Sequence, residues 1–298
     1  MNLRPSGYEP DELPGCSTPH QFGFEAPPRD VIRRRQQEHS THSDLEVNQK
    51  NHRPRSWYKP RVVSLLPIVY SSRDVVVVDK PAGWLSVPSR TGTADPRPVV
   101  GLALQDQLSC RLWPVHRLDE EVAGLLLFAR SADAHRLLCA AFEDHRVEKT
   151  YRARCQGAVP PDARRGAWVR WTSTLLRGKK RAYVHPAGKL AITDVWLQAQ
   201  DASGLHFLLR PRTGRGHQLR VELARRGCAI VGDTLYGAAA DSSQPGIALQ
   251  AIALSFAAWK DANRLHLPAT LLLPGCPPLP PAGASGTTPS VEASSEPG

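Results

Sequence analysis

Residues 115–130 read Val-His-Arg-Leu-Asp-Glu-Glu-Val-Ala-Gly-Leu-Leu-Leu-Phe-Ala-Arg. The apolar run 125–129 is short and bounded, which predicts a buried strand. The polar part, His116 to Asp119, would then lie at the rigid edge of a sheet, where a catalytic group is well held. A carboxylate that stays ionised beside an arginine is a candidate nucleophile or base, and Asp119 follows Arg117 by two residues. The alternative is an ordinary surface ion pair.

The segment before this stretch predicts a hairpin and a turn. Residues 68–70 and 75–78 are rich in β-branched side chains and are separated by Ser-Ser-Arg-Asp, which favours two strands joined by a tight connection. The sequence Lys80-Pro81-Ala82-Gly83 then predicts a turn. Lys80 at its base is a candidate phosphate ligand, and a plain structural turn is the alternative.

A helix and a strand are predicted after the central stretch. Ser131 can cap a helix, whose apolar face is formed by residues at helical spacing: Ala134, Leu137, Leu138, Ala141 and Phe142. Residues 147–154 alternate, which predicts a half-buried strand with Tyr151 pointing inward.

Residues 160–190 are rich in Arg and Lys and contain Trp168, Trp171 and the cluster 177–181, Arg-Gly-Lys-Lys-Arg. Basic residues interleaved with aromatic ones suit single-stranded RNA, through phosphate attraction and base stacking. A solvated loop is the competing interpretation. Two further strands are predicted at 191–196 and 206–210.

Residues 212–221 read Arg-Thr-Gly-Arg-Gly-His-Gln-Leu-Arg-Val. Gly214 and Gly216 bracket Arg215, so the backbone can approach a partner closely. A helix is predicted over 217–226, ended by Gly227.

Composition sets the protein class. Residues 61–276 hold 29 Lys and Arg against 18 Asp and Glu, a net charge of +11, which suits a polyanionic partner. Six scattered Cys without metal-ligand spacing argue against a zinc site or a disulfide framework.

No apolar run approaches the length of a membrane span and no signal segment opens the chain, so a soluble, cytoplasmic protein without membrane contact is expected. Residues 1–60 are expected to be disordered or a non-native extension, and 277–298 to be a disordered tail.

Five stretches, in order across about residues 66–274, resemble the RluA-type family of RNA pseudouridine synthases. They are Lys-Pro-x-Gly at 80–83, His-Arg-Leu-Asp at 116–119 with its apolar run, Lys-x-Tyr-x-Ala at 149–153, Thr-Gly-Arg-x-His-Gln-Leu-Arg at 213–220, and Gly-Asp-Thr-Leu-Tyr-Gly at 232–237. The family usually has Thr-Ser where this chain has Val122-Ala123. A small member without an extra N-terminal RNA-binding domain is what the resemblance implies, and a monomer is expected.

The resemblance implies an α+β catalytic domain, residues 61–276, with a mixed, largely antiparallel sheet and flanking helices around a basic cleft. It implies isomerisation of uridine in structured RNA (transfer RNA, 23S ribosomal RNA, or both) after the base is flipped out. No cofactor and no metal are needed. Asp119 would be the nucleophile or base, Arg215 its ion-pair partner, and Tyr151 the group packing on the base. Arg117 would fill the space that the base leaves.

His116 would support the loop, and Lys80, Thr213 and Gly214 would contact the substrate.

Two other functions remain open at this point. One is a non-catalytic RNA-binding or RNA-folding factor that retains the same cleft, which Val122-Ala123 would favour. The other is a nucleoside hydrolase, in which Glu120 or Glu121 would activate water.

Overall fold

The structure, a computed structural model, describes residues 65–89, 95–243 and 245–281. Within them, eleven strands join in one sheet. The strands are β1 (Ile68–Ser71), β2 (Val75–Lys80), β3 (Trp113–Pro114), β4 (Ala123–Ala129), β5 (Glu148–Cys155), β6 (Trp168–Arg177), β7 (Ala182–Val184), β8 (Lys189–Asp201), β9 (Gly204–Pro211), β10 (Leu249–Ser255) and β11 (Thr270–Leu272).

The strands lie in the order β1-β2-β4-β10-β5-β9-β8-β6-β7, with β11 paired to β10 and β3 to β4. Among the described strands, β4 and β10 form the single parallel pair, and every other ladder is antiparallel. The expected α+β class with a mixed, largely antiparallel sheet is therefore confirmed. The basic cleft stays a prediction.

Strand β4 is apolar throughout because the protein covers both of its faces. Leu126 and Phe128 enter one core cluster with Val76 and Val78, whereas Leu125 and Leu127 enter a second cluster with α2 and β10. A strand buried on both sides has no polar face, which explains the unbroken run Leu125 to Ala129. The loop that precedes β4 is therefore anchored to a central, buried strand of the sheet.

Within the described residues, three α-helices accompany the sheet: α1 (Val100–Leu108), α2 (Ala132–Glu143) and α3 (Gln218–Ala224). The predicted cap of α2 is confirmed, because Ser131 Oγ accepts a hydrogen bond from the backbone N–H of Ala134 at 3.1 Å. The sequence reasoning missed α1. In the part of the chain that the structure describes, no helix combines the length and the apolar character that a membrane span requires.

The predicted strands over 68–78, 147–154, 191–196 and 206–210 are all present. In the region 160–190 the solvated-loop interpretation and the expected base stacking are wrong, whereas RNA binding by the basic cluster 177–181 stays a prediction. The region forms the hairpin β6–β7 rather than a solvated loop. Trp168 and Trp171 are buried, so they cannot stack on RNA bases as expected. The indole of Trp171 instead packs under the guanidinium of Arg226, 3.9 Å from its ring centroid.

The expected tail begins later than Pro277. The backbone carbonyl of Pro280 accepts a hydrogen bond from Arg210, and that of Pro281 accepts one from the indole of Trp168 at 3.2 Å. Residues 277–281 therefore lie against the sheet. The expectations for residues 1–60 and for 282–298 lie outside the described residues.

Gly124 is required where β4 meets β10. Its φ is +110°, and a Cβ atom built there would lie 2.2 Å from the carbonyl oxygen of Ala251. Any side chain would push the two strands apart, and with them the loop that precedes β4. The glycine in the central stretch thus sets how closely that loop approaches β10.

Candidate active site

The loop that carries Asp119 lies between β3 and β4 and is fixed by hydrogen bonds to Ser86. The hydroxyl of Ser86 accepts a hydrogen bond from the Leu118 N–H at 3.0 Å and donates one to the Leu118 carbonyl at 2.9 Å. The backbone N–H of Val122 donates to the carbonyl of Asp119 at 3.2 Å, which closes the turn. Sequence reasoning did not assign Ser86, whose only signal was its place after the Pro-x-Gly turn.

Lys80 holds the same loop from inside the protein and is not a phosphate ligand. Its side chain is fully buried, and its Nζ donates to three carbonyl oxygens: Pro81 at 2.9 Å, Glu120 at 3.0 Å and Val122 at 2.7 Å. Since an ammonium group has three donors, none remains for a substrate. Burial lowers the pKa of Lys80 to about 8, despite the opposing carboxylates of Asp119, Glu120 and Glu121.

Asp119 is paired with Arg220, not with Arg215 as the sequence reasoning expected. Arg220 Nη1 lies 3.5 Å from Oδ2 of Asp119. Arg215 makes no ion pair within the described residues, and its Nε donates to the backbone carbonyl of Leu190 at 3.0 Å. The reason is that α3 begins at Gln218, so Arg220 extends from its first turn whereas Arg215 lies in the loop before it.

Arg220 is a buried cation shared by three carboxylates. Its Nε and Nη2 donate to the two oxygens of Asp233 at 2.7 and 2.8 Å, and Nη1 lies 3.2 Å from Glu121. The ring of Tyr236 lies 5.3 Å from the guanidinium carbon. Burial alone would lower the pKa of Arg220, but Asp233, Glu121 and Asp119 together raise it above its ordinary value. Asp119 thus faces a permanent positive charge that Asp233 fixes in place.

Tyr151 faces the same space from β5. Its ring belongs to the core cluster that also contains Leu118, and burial, together with the charge of Asp119, raises the pKa of Tyr151 above its ordinary value. Its hydroxyl makes no hydrogen bond within the described residues. Tyr151 therefore keeps its proton at neutral pH and can pack against a base or donate a hydrogen bond to it.

His116 is a neutral, fixed element of the loop. Its ring stacks on Phe142 with centroids 4.9 Å apart, and Nε2 accepts a hydrogen bond from the Leu127 N–H at 3.1 Å. Burial, and to a lesser degree the charge of Lys149, lowers the pKa of His116 to about 3. The imidazole does not gain a proton near neutral pH, which fits a supporting role better than acid–base work.

Arg117 points outward from this loop. It is exposed, and it has neither a hydrogen bond nor an ion pair with any described residue. Its guanidinium is therefore available to a ligand.

Thr213 orders the loop before α3. Its Oγ1 accepts from the Ile192 N–H at 2.9 Å and donates to Gln218 Oε1 at 2.8 Å, and the same amide oxygen accepts from the Arg215 N–H. The hydroxyl of Thr213 is thus engaged within the protein, while Gly214 is exposed. Gln218, which the sequence reasoning left unassigned, connects the loop to β8.

Among the described residues, no three His, Cys, Asp or Glu side chains are grouped so as to hold a metal ion. Glu120 pairs with Arg97, and Glu121 pairs with Arg220. The site is therefore one carboxylate, Asp119, held against a buried arginine beside a protonated tyrosine.

The sequence profile of the family described as RNA pseudouridylate synthase matches residues 74–225, which contain Asp119, Tyr151 and Arg220. The chain belongs to this family. It is of the RluA type, as the order of its motifs indicated.

The chain is also similar to individual members of the family. It is 34% identical over 177 residues to an uncharacterized RNA pseudouridine synthase of Aquifex aeolicus, covering 57% of this chain and 55% of that protein. It is 33% identical to the tRNA pseudouridine synthase C of Yersinia pestis, covering 58% and 71%. The chain thus spans about half the length of the Aquifex relative.

A solved structure supports the fold assignment. Human RNA pseudouridylate synthase domain containing 1 superposes with a TM-score of 0.53 at 26% identity, over 67% of this chain and 81% of that one. The pseudouridine synthase fold is therefore shown for the described part of this chain.

Proposed function

We propose that this protein isomerises uridine to pseudouridine in structured RNA, with Asp119 as nucleophile or base. The observation that carries the proposal is the carboxylate of Asp119, held 3.5 Å from the buried guanidinium of Arg220. Desolvation raises the pKa of a carboxyl group, so a closed site that needs an ionised aspartate needs a fixed cation beside it. Arg220 supplies that cation, since Asp233 prevents it from moving away.

In the proposed reaction the N1–C1′ bond of uridine breaks, the base turns, and a C5–C1′ bond forms. N1 gains a proton and C5 loses one, so no redox partner or hydrolytic water is consumed. Tyr151 would pack on the turning base, and Arg117 would fill the space that the flipped nucleotide leaves in the RNA. Unstacking the target costs a few kcal/mol, which contacts to the RNA backbone must offset.

Transfer RNA is the substrate class we favour, because the Yersinia relative is named a tRNA pseudouridine synthase and this chain covers 71% of it. Structured ribosomal RNA is the second class. A monomeric state and a cytoplasmic location stay predictions.

The replacement of the usual Thr-Ser by Val122-Ala123 is compatible with activity. The side chain of Val122 is buried in the core, and its backbone N–H and carbonyl hold the loop through Asp119 and Lys80. The loop therefore keeps its hydrogen bonds without the two hydroxyls. This weakens the case for a non-catalytic RNA-binding factor.

The hydrolase alternative is also less well supported. Water activation would require a free carboxylate beside Asp119, but the described structure pairs Glu120 with Arg97 and Glu121 with Arg220.

The test is the variant Asp119→Asn, which keeps the shape of the side chain and removes its charge. Pseudouridine formation in unmodified tRNA transcripts, mapped by sequencing, should be lost, while RNA binding persists through phosphate contacts. Mass spectrometry separates the alternatives, because isomerisation leaves the RNA mass unchanged and hydrolysis leaves an abasic site. Turnover of the variant near the parent rate would contradict the assignment.

A further inference from the structure

Tyr236 bonds to the outer edge of the sheet through its hydroxyl. In the strand order of the described residues β7 is last, so the backbone groups on its outer side have no further described strand to pair with. At Ala182 this edge is nevertheless satisfied, because the N–H donates to Tyr236 Oη at 2.9 Å and the carbonyl accepts from the same oxygen at 3.1 Å. Ala182 is buried, so both of its polar groups need these bonds. The hydroxyl of Tyr236 thus takes the place of a neighbouring strand.

The ring of the same side chain lies at the proposed reaction centre. It packs over the guanidinium of Arg220, with 5.3 Å between the ring centroid and the guanidinium carbon. A cation is attracted to the face of an aromatic ring at such a distance. Arg220 Nη1 in turn lies 3.5 Å from Oδ2 of Asp119. Tyr236 therefore joins β7, through one planar side chain, to the cation that faces Asp119.

His217 provides a second connection between this hydroxyl and Arg220. Its Nδ1 lies 3.0 Å from Tyr236 Oη, and the two rings meet edge to face with centroids 5.7 Å apart. His217 is the residue directly before α3, whose first turn carries Arg220. The hydroxyl of Tyr236 is therefore bonded both to the edge strand and to the start of the helix that holds the arginine.

The strand that Tyr236 holds begins directly after an exposed basic turn. Residues 179–181, here called the hairpin tip, are three exposed cations that precede Ala182. The Gly178 N–H donates to the carbonyl of Arg181 at 2.9 Å and closes the turn. Since the bonds to Tyr236 are made one residue beyond the tip, they fix the tip relative to Asp119.

We propose that Tyr236 is a positioning residue, which fixes the hairpin tip relative to Arg220 so that RNA bound at the tip presents its uridine to Asp119. The inference rests on the proposed function and adds to it a residue that acts through others. Contacts to phosphates fix the orientation of a bound nucleic acid. They orient the uridine at Asp119 only if the contacting residues are themselves held at a fixed distance from it, and Tyr236 provides that connection.

The test compares Tyr236→Phe with Tyr183→Phe. The first change removes the hydroxyl that bonds to Ala182 and keeps the ring on Arg220. The second is the matched control, because Tyr183 lies on the same strand, is exposed, and its hydroxyl makes no hydrogen bond within the described residues. Values of kcat and KM are measured on a pool of unmodified tRNA transcripts, and the dissociation constant is measured between about 50 and 200 mM salt.

Tyr236→Phe should lower kcat by about 10- to 100-fold, because misplacing a substrate by about 1 Å can cost about 100-fold. Its affinity for RNA should stay within about twofold of that of the parent protein, with the same salt dependence, since the cations of the tip are still present. Tyr183→Phe should match the parent protein in kcat and in affinity.

A double-mutant cycle separates the connection to the hairpin from the contact with Arg220. If Tyr236 acts through the tip, Tyr236→Phe should lower kcat/KM by less than about threefold once the three cations of the tip have been changed to Ala. An effect of the same size in both backgrounds would overturn the proposal, since Tyr236 would then act on Arg220 alone. So would a loss of affinity at unchanged kcat, or equal losses of kcat in Tyr236→Phe and Tyr183→Phe.

Amide hydrogen exchange tests the connection without turnover. The Ala182 N–H should exchange faster in Tyr236→Phe than in the parent protein, whereas the amides of β5 should remain equally protected. Unchanged exchange at Ala182 would overturn the proposal. If the parent protein forms no pseudouridine in the transcripts, the proposed function fails, while the connection is still decided by the exchange rates.

A second variant serves if Tyr236→Phe does not fold. Ala182→Pro removes the N–H that donates to Tyr236 and leaves the tyrosine in place, and proline is tolerated on edge strands where its nitrogen faces away from the ladder. The same fall in kcat at unchanged affinity is expected. A kcat equal to that of the parent protein would overturn the proposal.

Discussion

Asp233 holds the guanidinium of Arg220 with two hydrogen bonds, at 2.7 and 2.8 Å, and both side chains are almost fully buried. Planar, bidentate pairs of this kind fix the orientation of the arginine as well as its position. The third nitrogen of the same guanidinium faces Asp119 and Glu121. The electrostatic environment of the proposed nucleophile is therefore set by a residue that is 114 positions away from it in the chain.

The ion-pair assignment predicts different outcomes for the two arginines. Arg220→Met leaves the buried Asp233 without a partner and should lower the free energy of unfolding by about 3 to 5 kcal/mol, with loss of turnover. Arg215→Met removes a side chain that, among the described residues, donates only to a backbone carbonyl, so its stability loss should stay below about 1 kcal/mol. Urea unfolding of both variants measures the difference. Equal losses would contradict the pairing seen here.

Combining two changes tests whether the cost comes from the unpaired carboxylate. Asp233→Asn added to Arg220→Met should recover part of the lost stability without recovering activity, because the buried charge is then gone. Strictly additive losses in the double variant would argue against direct coupling between Arg220 and Asp233.

Lys80→Met should damage the loop without touching the substrate. The change leaves the carbonyls of Pro81 and Val122 without a donor, while that of Glu120 keeps the N–H of Gly83, and even one unsatisfied buried group costs about 1 to 3 kcal/mol. We expect a lower melting temperature and a reduced kcat, with RNA affinity within about twofold of the parent. Thermal unfolding and filter binding measure these effects. A large loss of affinity with normal stability would instead restore Lys80 as a phosphate ligand.

Burial of His116 predicts a loss of stability in mild acid. Its pKa is about 3 in the folded protein and about 6.5 in the unfolded chain, so between these values the unfolded state binds the extra proton. The free energy of unfolding should therefore fall as the pH is lowered from 7, by about 2 kcal/mol at pH 5 from this residue alone. His116→Gln should be less stable at pH 7 but should lose less on acidification. The same pH dependence in both proteins would show that His116 is not the cause.

The tip of the β6–β7 hairpin should bind RNA through charge. Lys179, Lys180 and Arg181 make no ion pair with described residues, and Tyr236 anchors the adjoining strand through the backbone N–H and carbonyl of Ala182. The logarithm of the RNA association constant should decrease less steeply with the logarithm of the salt concentration when the three cations are changed to Ala. The magnitude of the slope should fall by up to about 0.7 to 0.9 for each phosphate that these cations neutralise in the parent protein.

The control for the hairpin removes three other cations, Arg73, Lys260 and Arg264. Arg73 lies in the β1–β2 turn, at the opposite edge of the sheet, and the short helix that carries Lys260 and Arg264 is hydrogen-bonded to the same turn through Ser72 and the carbonyl of Leu265. The control should bind with the slope of the parent protein. If the hairpin variant does the same, residues 179–181 form only a solvated turn.

Local patterns were enough to predict most of the elements. The apolar run of β4, the capped face of α2 and the alternation of β5 each depend on residues that are close together in the sequence. The spacing of apolar residues in such a segment indicates directly which side chains are buried. The patterns failed where burial came from distant partners. Trp168 and Trp171 resembled exposed stacking residues because they stand among basic neighbours in the sequence. In the folded protein, Pro281 covers Trp168, whereas Asp162 and Arg226 contact Trp171.

The sequence by itself determined the family, the α+β class and the candidate residues Asp119 and Tyr151, because these depend on short motifs and their order. Only the tertiary structure decided which cation meets Asp119, since Arg220 lies 101 residues away and Arg215 was the more conspicuous choice. It also decided that the loop occupies all three donors of Lys80, whereas Lys149 meets no acceptor among the described residues. Both lysines directly follow an acidic residue in the sequence, and the difference arises from which carbonyl oxygens the folded backbone brings within hydrogen-bonding distance of each one.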